Sequence, residues 1–225
     1  MLSLAIPHQE KRSPQYPAPS PFFLNTVASA YRNPNNNRDE PAREGEIYME
    51  VTVRVATVED AERVSDFAAR SFSETFAADN TPEDMAMYLE GTFTPERLRC
   101  ELGDPGQIVL LLEAGAAVIA YAHLTWTPAA KGVTGEAPVE LARFYVDRAW
   151  HGRGVAQRLM RHVLDAAARD GAGTLWLGVW ERNPRAIAFY RKHGFVDVGS
   201  HSFVLGRDVQ TDRIMQRPVT LSPGE

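Results

Sequence analysis

The chain has one cysteine, Cys100, in 225 residues, so no internal disulfide can form and no cluster of thiolates can ligate a metal. A lone cysteine of this kind reads as a small buried hydrophobe. The six histidines include no HExxH pair on one helical face, and no metal site is expected. Long apolar runs are missing too: nowhere do about 18 apolar residues follow one another, and the N-terminus lacks the apolar stretch of a secretion signal. A cytoplasmic address without membrane contact is the expectation. Positive charge is not in excess, since 24 Lys and Arg against 29 Asp and Glu leave a net charge of -5, which argues against nucleic acid and favours cationic ligands. Neither a Walker A sequence nor a GxSxG elbow is present.

What is present divides unevenly. Residues 1–48 hold seven of the fifteen prolines and a polar tract from Asn33 to Asn37, with no sustained periodicity. They are expected to be a disordered or non-native extension ahead of one domain over residues 49–225. Back-translation of Arg43-Glu-Gly-Glu46 gives purine-rich codons just before Met49, as in a bacterial ribosome-binding site, and the expectation is that translation naturally starts at Met49. A genuine flexible tail is the alternative.

From Val51 the pattern alternates as a strand, and Thr57-Val-Glu-Asp60 has the form of a capping box that opens a helix to about Phe72. Thr81-Pro-Glu-Asp84, an N-cap with proline at N1, opens a second helix. Gln107 to Ala114 and Ala117 to Thr127 read as a hairpin about Gly115, and Val139 to Val146 as the next strand. A helix follows with Val155, Leu159, Val163 and Ala167 on one face, then a strand from Leu175 to Val179, which implies a parallel pair. Asn183-Pro184 caps a short helix ending at His193 and Gly194, and short strands near Phe203 to Leu205 and Arg213 to Gln216 close the chain. The fold class is α/β, a mixed central sheet flanked by helices.

The chemistry concentrates between Val139 and Ala156. His151-Gly-Arg-Gly154 is a glycine-rich turn between a strand and a helix N-terminus, where unpaired N–H groups and the helix dipole favour a phosphate. Two glycines fall short of the third that a dinucleotide fingerprint needs. This segment resembles motif A of the GNAT N-acetyltransferase superfamily, [Gln/Arg]-x-x-Gly-x-[Gly/Ala], with Gly154 and Ala156 matching and His151 in the Gln/Arg slot. Asn183-Pro-Arg-Ala-Ile-Ala-Phe-Tyr-Arg-Lys-His-Gly-Phe195 resembles motif B at the expected distance downstream. Trp176-Leu-Gly-Val-Trp-Glu181, His201-Ser-Phe203, Gly206 and Gln210-Thr-Asp212 are similar to the bacterial PaiA-type spermidine/spermine acetyltransferases, as are Ser73-Glu-Thr-Phe76, Asn80-Thr-Pro-Glu83 and Tyr88-Leu89. The likeness runs from about residue 51 to about 217.

The resemblance implies the GNAT fold, in which two parallel strands splay apart and the pantetheine arm of acetyl-CoA lies in the gap. It implies cofactor contacts from Phe144, Tyr145 and Val146, mostly through backbone groups, and from the turn and helix start His151, Gly152, Arg153, Gly154, Val155 and Ala156, with Asn183 and Tyr190 beyond them. Tyr190 falls where the family protonates the departing CoA thiolate. Glu140 falls where histone-acetylating relatives place a general base. The acidic residues Glu74 and Asp79 suggest a negative mouth for a multiply charged amine, while Glu83 and Asp84 are accounted for as helix caps. The expected activity is direct acetyl transfer to a small-molecule primary amine such as a polyamine. Other amine acceptors, a non-catalytic acyl-CoA sensor, and a homodimer stay open.

Overall fold

The computed structural model describes residues 50–220; the boundary expected at Met49 and the extension before it lie outside the described residues. Seven strands, β1 (Val51–Val55), β2 (Gln107–Ala114), β3 (Ala117–Thr125), β4 (Pro138–Val146), β5 (Thr174–Trp180), β6 (Val196–Leu205) and β7 (Asp208–Pro218), form one sheet. Their spatial order is β1-β2-β3-β4-β5-β7-β6. Only β4 and β5 run parallel; every other neighbouring pair is antiparallel. The helices are α1 (Ala61–Phe76), α2 (Pro82–Thr92), α3 (Pro95–Gly103), α4 (Val155–Arg169) and α5 (Pro184–Lys192).

Both faces of the sheet are covered, which is why β2 reads as an unbroken apolar run rather than an alternating one. Its Leu110 and Leu112 pack with Leu159, Met160 and Val163 of α4. Val109 and Leu111, on the other face, pack with Phe67 and Phe72 of α1 and Leu98 of α3. Leu159 and Val163 are wholly buried, so Leu159→Ala would cost on the order of 2–5 kcal/mol.

Several boundaries differ from the sequence expectation. The capping signal at Thr57 opens a 3-10 turn, Val58–Asp60, before α1 starts, and α1 runs one turn past Phe72 to Phe76. Asp60 accepts the Thr57 N–H at 2.9 Å and also binds Arg54 at 2.6 Å, and the Arg54 guanidinium lowers its carboxyl to about 2. A third helix, α3, follows the first two: Thr94 accepts the Arg97 N–H with Pro95 at N1, the same cap that Thr81 and Pro82 give α2. Cys100, expected in the core, is exposed. It lies two residues, about 200°, around α3 from the buried Leu98, and so on the opposite face. The two closing strands are far longer than expected because β6 and β7 form one hairpin about Gly206, whose φ of +61° lies in the left-handed region.

Candidate active site

Strands β4 and β5 are paired over only three positions, Pro138 with Thr174, Val139 with Leu175 and Glu140 with Trp176. Beyond them β4 stays with β3 as far as Val146, and β5 stays with β7 as far as Trp180 opposite Asp212. A register shift sits at the parting point: His123 faces Arg143 and Leu124 faces Leu141, leaving Ala142 as an extra residue. Such a bulge bends its strand, and here it turns β4 away from β5. The expected splayed parallel pair is therefore present, and the facing edges of residues 141–146 and 177–180 have no ladder partner across the gap.

The gap opens into a cleft of about 700 Å³ that passes through the sheet. Ala156, Asn183, Phe189 and Tyr190 wall it on the α4 and α5 side, and Phe72, Phe76, Tyr88 and Phe203 on the α1 and α2 side. Phe144, Tyr145 and Val146 all line it. Phe144 and Val146 pack toward α4 and α5, whereas Tyr145 stacks on Tyr121 with ring centroids 5.7 Å apart on the other face.

At the α4 end, Gly152 and Gly154 have φ of +78° and +77°, and a Cβ on either would meet nothing within 4 Å. Conformation, not crowding, requires these glycines, and the space over them is open to a ligand. Thr81, Thr94 and Asn183 cap α2, α3 and α5 with their side chains, but Gly154 gives α4 no such cap. His151 donates from Nε2 to the Val146 carbonyl at 3.0 Å, tying the turn to the end of β4. His151 and Ala156 wall the cleft; Val155 is buried in the core beneath it, so only its backbone can face a ligand. Arg153 stands off the wall with its guanidinium 5.5 Å from the Trp150 ring. The arginines that do line the cleft are Arg143, Arg148, Arg182 and Arg185.

Tyr190 is nearly buried, in edge contact with Phe144, Phe189 and Phe195, and burial pushes its phenol above the usual value near 10. Asn183 lines the cleft while accepting the Ala186 N–H at 3.0 Å, so capping and ligand contact are compatible. Glu74 and Asp79 lie on the wall, Glu74 with Arg70 at 3.5 Å. Glu140 does not: it belongs to the last paired position, and Thr127 donates to its carboxylate at 2.7 Å.

Beneath the wall, Arg143 holds Glu101 through two bonds of 2.5 and 3.0 Å. It also donates to His123 Nδ1 at 3.4 Å, and His123 Nε2 meets Gln107 Oε1 at 2.6 Å. Both nitrogens are thus engaged in the neutral form with the proton on Nε2. Burial and Arg143 lower His123 to about 4.

Residues 66–195, more than half the chain, match the sequence pattern described as the Acetyltransferase (GNAT) family. The chain belongs to the GNAT family. An uncharacterized N-acetyltransferase of Lactobacillus delbrueckii subsp. lactis is 33% identical over 147 residues, 65% of this chain and 85% of that protein. Another uncharacterized N-acetyltransferase, of Mycobacterium tuberculosis, is 33% identical over 159 residues, 70% of this chain and 97% of its own. The fold is shared with the PaiA N-acetyltransferase of Thermoplasma acidophilum, solved in complex with coenzyme A, at a TM-score of 0.62 and 20% identity, covering 76% of this chain and 99% of that one. This GNAT protein is an acetyl-CoA-dependent N-acetyltransferase, and its cleft suits that co-substrate: an unpaired strand edge for the amide-bearing arm, an uncapped helix start for the pyrophosphate, and three exposed arginines, Arg148, Arg182 and Arg185, for the remaining charge.

Proposed function

We propose that this enzyme acetylates a primary amine by direct transfer, with a polyamine such as spermidine or spermine as acceptor. The observation that carries the reading is the through-sheet cleft, lined by the exposed Arg148, Arg182 and Arg185 and by the aromatic and acidic residues Phe72, Glu74, Phe76, Asp79 and Tyr88. Acetyl-CoA, when bound, supplies the activated thioester. Phe144 and Val146 offer their edge, which has no ladder partner toward β5, to the extended arm, the Val146 carbonyl also accepting from His151. The open turn at Gly152 and Gly154 and the first turn of α4 take the pyrophosphate, and Asn183 lines the same cleft. Tyr190 stays protonated at neutral pH and gives its proton to the leaving thiolate.

An alkylammonium of pKa about 10.4 must lose a proton before it can attack. Glu140 lies off the wall, so proton removal by Glu140 runs through water. Glu74 and Asp79 draw the cation to the mouth; Arg70 offsets part of the Glu74 charge, which leaves Asp79 the stronger attractor. The test is release of free thiol from acetyl-CoA across spermidine, spermine, a monoamine of equal length, lysine, an aminoglycoside and a peptide N-terminus. Faster turnover of the polyamines supports the reading. Equal kcat/KM for monoamine and polyamine at low salt rules out the polyamine, and silence with every amine rules out the transfer.

A further inference from the structure

On the face of the sheet away from α4 and α5, the cleft ends among aromatic rings. Phe72 and Phe76 lie with centroids 4.6 Å apart, Tyr88 stacks on Phe72 at 4.6 Å, Phe203 meets Tyr88 edge-on at 5.5 Å, and Trp180 meets Phe76 at 5.9 Å. Asp212 of β7, opposite Trp180 in the register, brings a carboxylate to this group and lines the cleft. Its side chain is 14% exposed, its Oδ1 is buried, and that oxygen meets no hydrogen-bond donor among the described residues.

Four other sequestered carboxylates among the described residues are held differently. Asp60, Asp84, Glu101 and Glu113 each lie within 3.2 Å of an arginine nitrogen. Among the described residues Asp212 has one ion-pair partner, His201, 3.9 Å away and 39% exposed. Burial raises its carboxyl above the usual range; His201 opposes that rise and Glu181 adds to it. A second buried polar atom on the same wall, Ser71 Oγ, is also without a partner among the described residues. The sequence makes room for this arrangement at Gly178, where a Cβ would come within 3.3 Å of Asp212 Oδ2 and 3.0 Å of His201 Nε2. Gly178 stands on the part of β5 that has left β4, so the carboxylate overlies the parted strands.

A desolvated carboxylate lacking a donor costs stability, and aromatic faces around it attract cations but not anions. We propose that Asp212, inside the ring of Phe72, Phe76, Tyr88, Trp180 and Phe203, holds the acceptor's reactive ammonium group and so sets amine specificity. This rests on the acetyl-transfer reading above. Arg143, on the same wall, is committed to Glu101, and no arginine or lysine pairs with Asp212 among the described residues, so its charge is offset only in part, by His201. An amine with a carboxylate on the adjacent carbon, as in an α-amino acid, is therefore excluded, and one on an uncharged or cationic aliphatic chain is accepted.

The test compares wild type with Asp212→Asn, which keeps the shape and removes the charge. Spermidine binding without acetyl-CoA, read by calorimetry, should weaken roughly 10- to 100-fold, the worth of a charge-assisted hydrogen bond, while acetyl-CoA binding stays within about threefold. The variant's Tm should stay level or rise, because an unpartnered buried charge has been removed. Equal spermidine affinity in both proteins, or no spermidine binding to wild type, overturns the proposal. So does a Tm loss of several degrees accompanied by weaker acetyl-CoA binding, which would give Asp212 a structural role. Binding of spermidine that depends on Asp212 without thiol release would uphold the ammonium site and reject the transfer.

Discussion

The neutral, buried His123 should make this protein lose stability in mild acid. The residue is 3% exposed, one nitrogen donates to Gln107 and the other accepts from Arg143, so a second proton would displace the Arg143 bond and face its guanidinium, with Glu101 Oε2 3.9 Å away offsetting part of that cost. The folded-state value of about 4 lies some two and a half units below the unfolded value of about 6.5. Between these limits the unfolded chain binds a proton that the folded chain does not, so the His123 contribution to stability is full above about pH 6.5, falls with pH, and is spent near pH 4. At about 1.4 kcal/mol per unit the loss is about 3 kcal/mol, a large part of the 5–15 kcal/mol typical of a domain. Urea unfolding at intervals from pH 7.5 to 4 gives the curve. His123→Gln can still donate to Gln107 and accept from Arg143 but does not titrate, so it should flatten the slope; half-buried His162, also lowered, leaves a smaller residual one. A wild-type curve level from pH 6.5 to 4.5, or an equally steep one in the variant, refutes the reasoning.

Tyr190→Phe should lower kcat roughly ten- to a hundredfold with acetyl-CoA affinity little changed, as loss of a proton donor does; unfolding of the variant, or an unchanged rate, would mean that the ring only packs. Gly154→Ala forces a left-handed φ on a side chain, so it should destabilise by about 1–2 kcal/mol and raise the KM for acetyl-CoA, measured by thermal melts and initial rates. Asp60→Asn breaks the charge pair with Arg54 and should cost about 2 kcal/mol at pH 7; in wild type the same stabilisation is lost only as pH falls from about 4 toward 2. Replacing Glu74 with Gln and Asp79 with Asn together should raise the spermidine KM a few-fold at low salt and have no effect at about 0.5 M salt, where the fields are screened.

Local signals carried the fold well. Thr81-Pro82, Asn183-Pro184, Gly194 and the spacing from Val155 to Ala167 each specify an element from neighbouring residues, and each stands where expected. The helix at Pro95 carries the same Thr-Pro signal, but its polar sequence has only Leu98 buried, too weak an apolar stripe to mark a helix. The ends of β6 and β7 were hidden because exposed valines such as Val196, Val204 and Val209 interrupt any two-residue pattern. At the site, the turn and Tyr190 were legible as motifs, while Asp212 was visible only as part of a family likeness. Its meaning depends on which residues face it across three strands, and pairing between distant segments is what a linear pattern does not contain. Arg148, Arg182 and Arg185 carry no local signal for the same reason, and Arg153 shows that a place beside the glycines in sequence is not a place on the cleft wall.

The three-position seam between β4 and β5 makes the sheet two blades joined at one end, with the missing rungs left for a ligand to fill. A bound arm that bonds to β4 mends the sheet, so its binding energy becomes mechanical cohesion between blades. The amides of Phe144 and Val146 should then be the reporters, exchanging with solvent deuterium readily in the free protein and slowing sharply once coenzyme A is added, while those of Val139 and Leu175, already inside the seam, stay slow in both states.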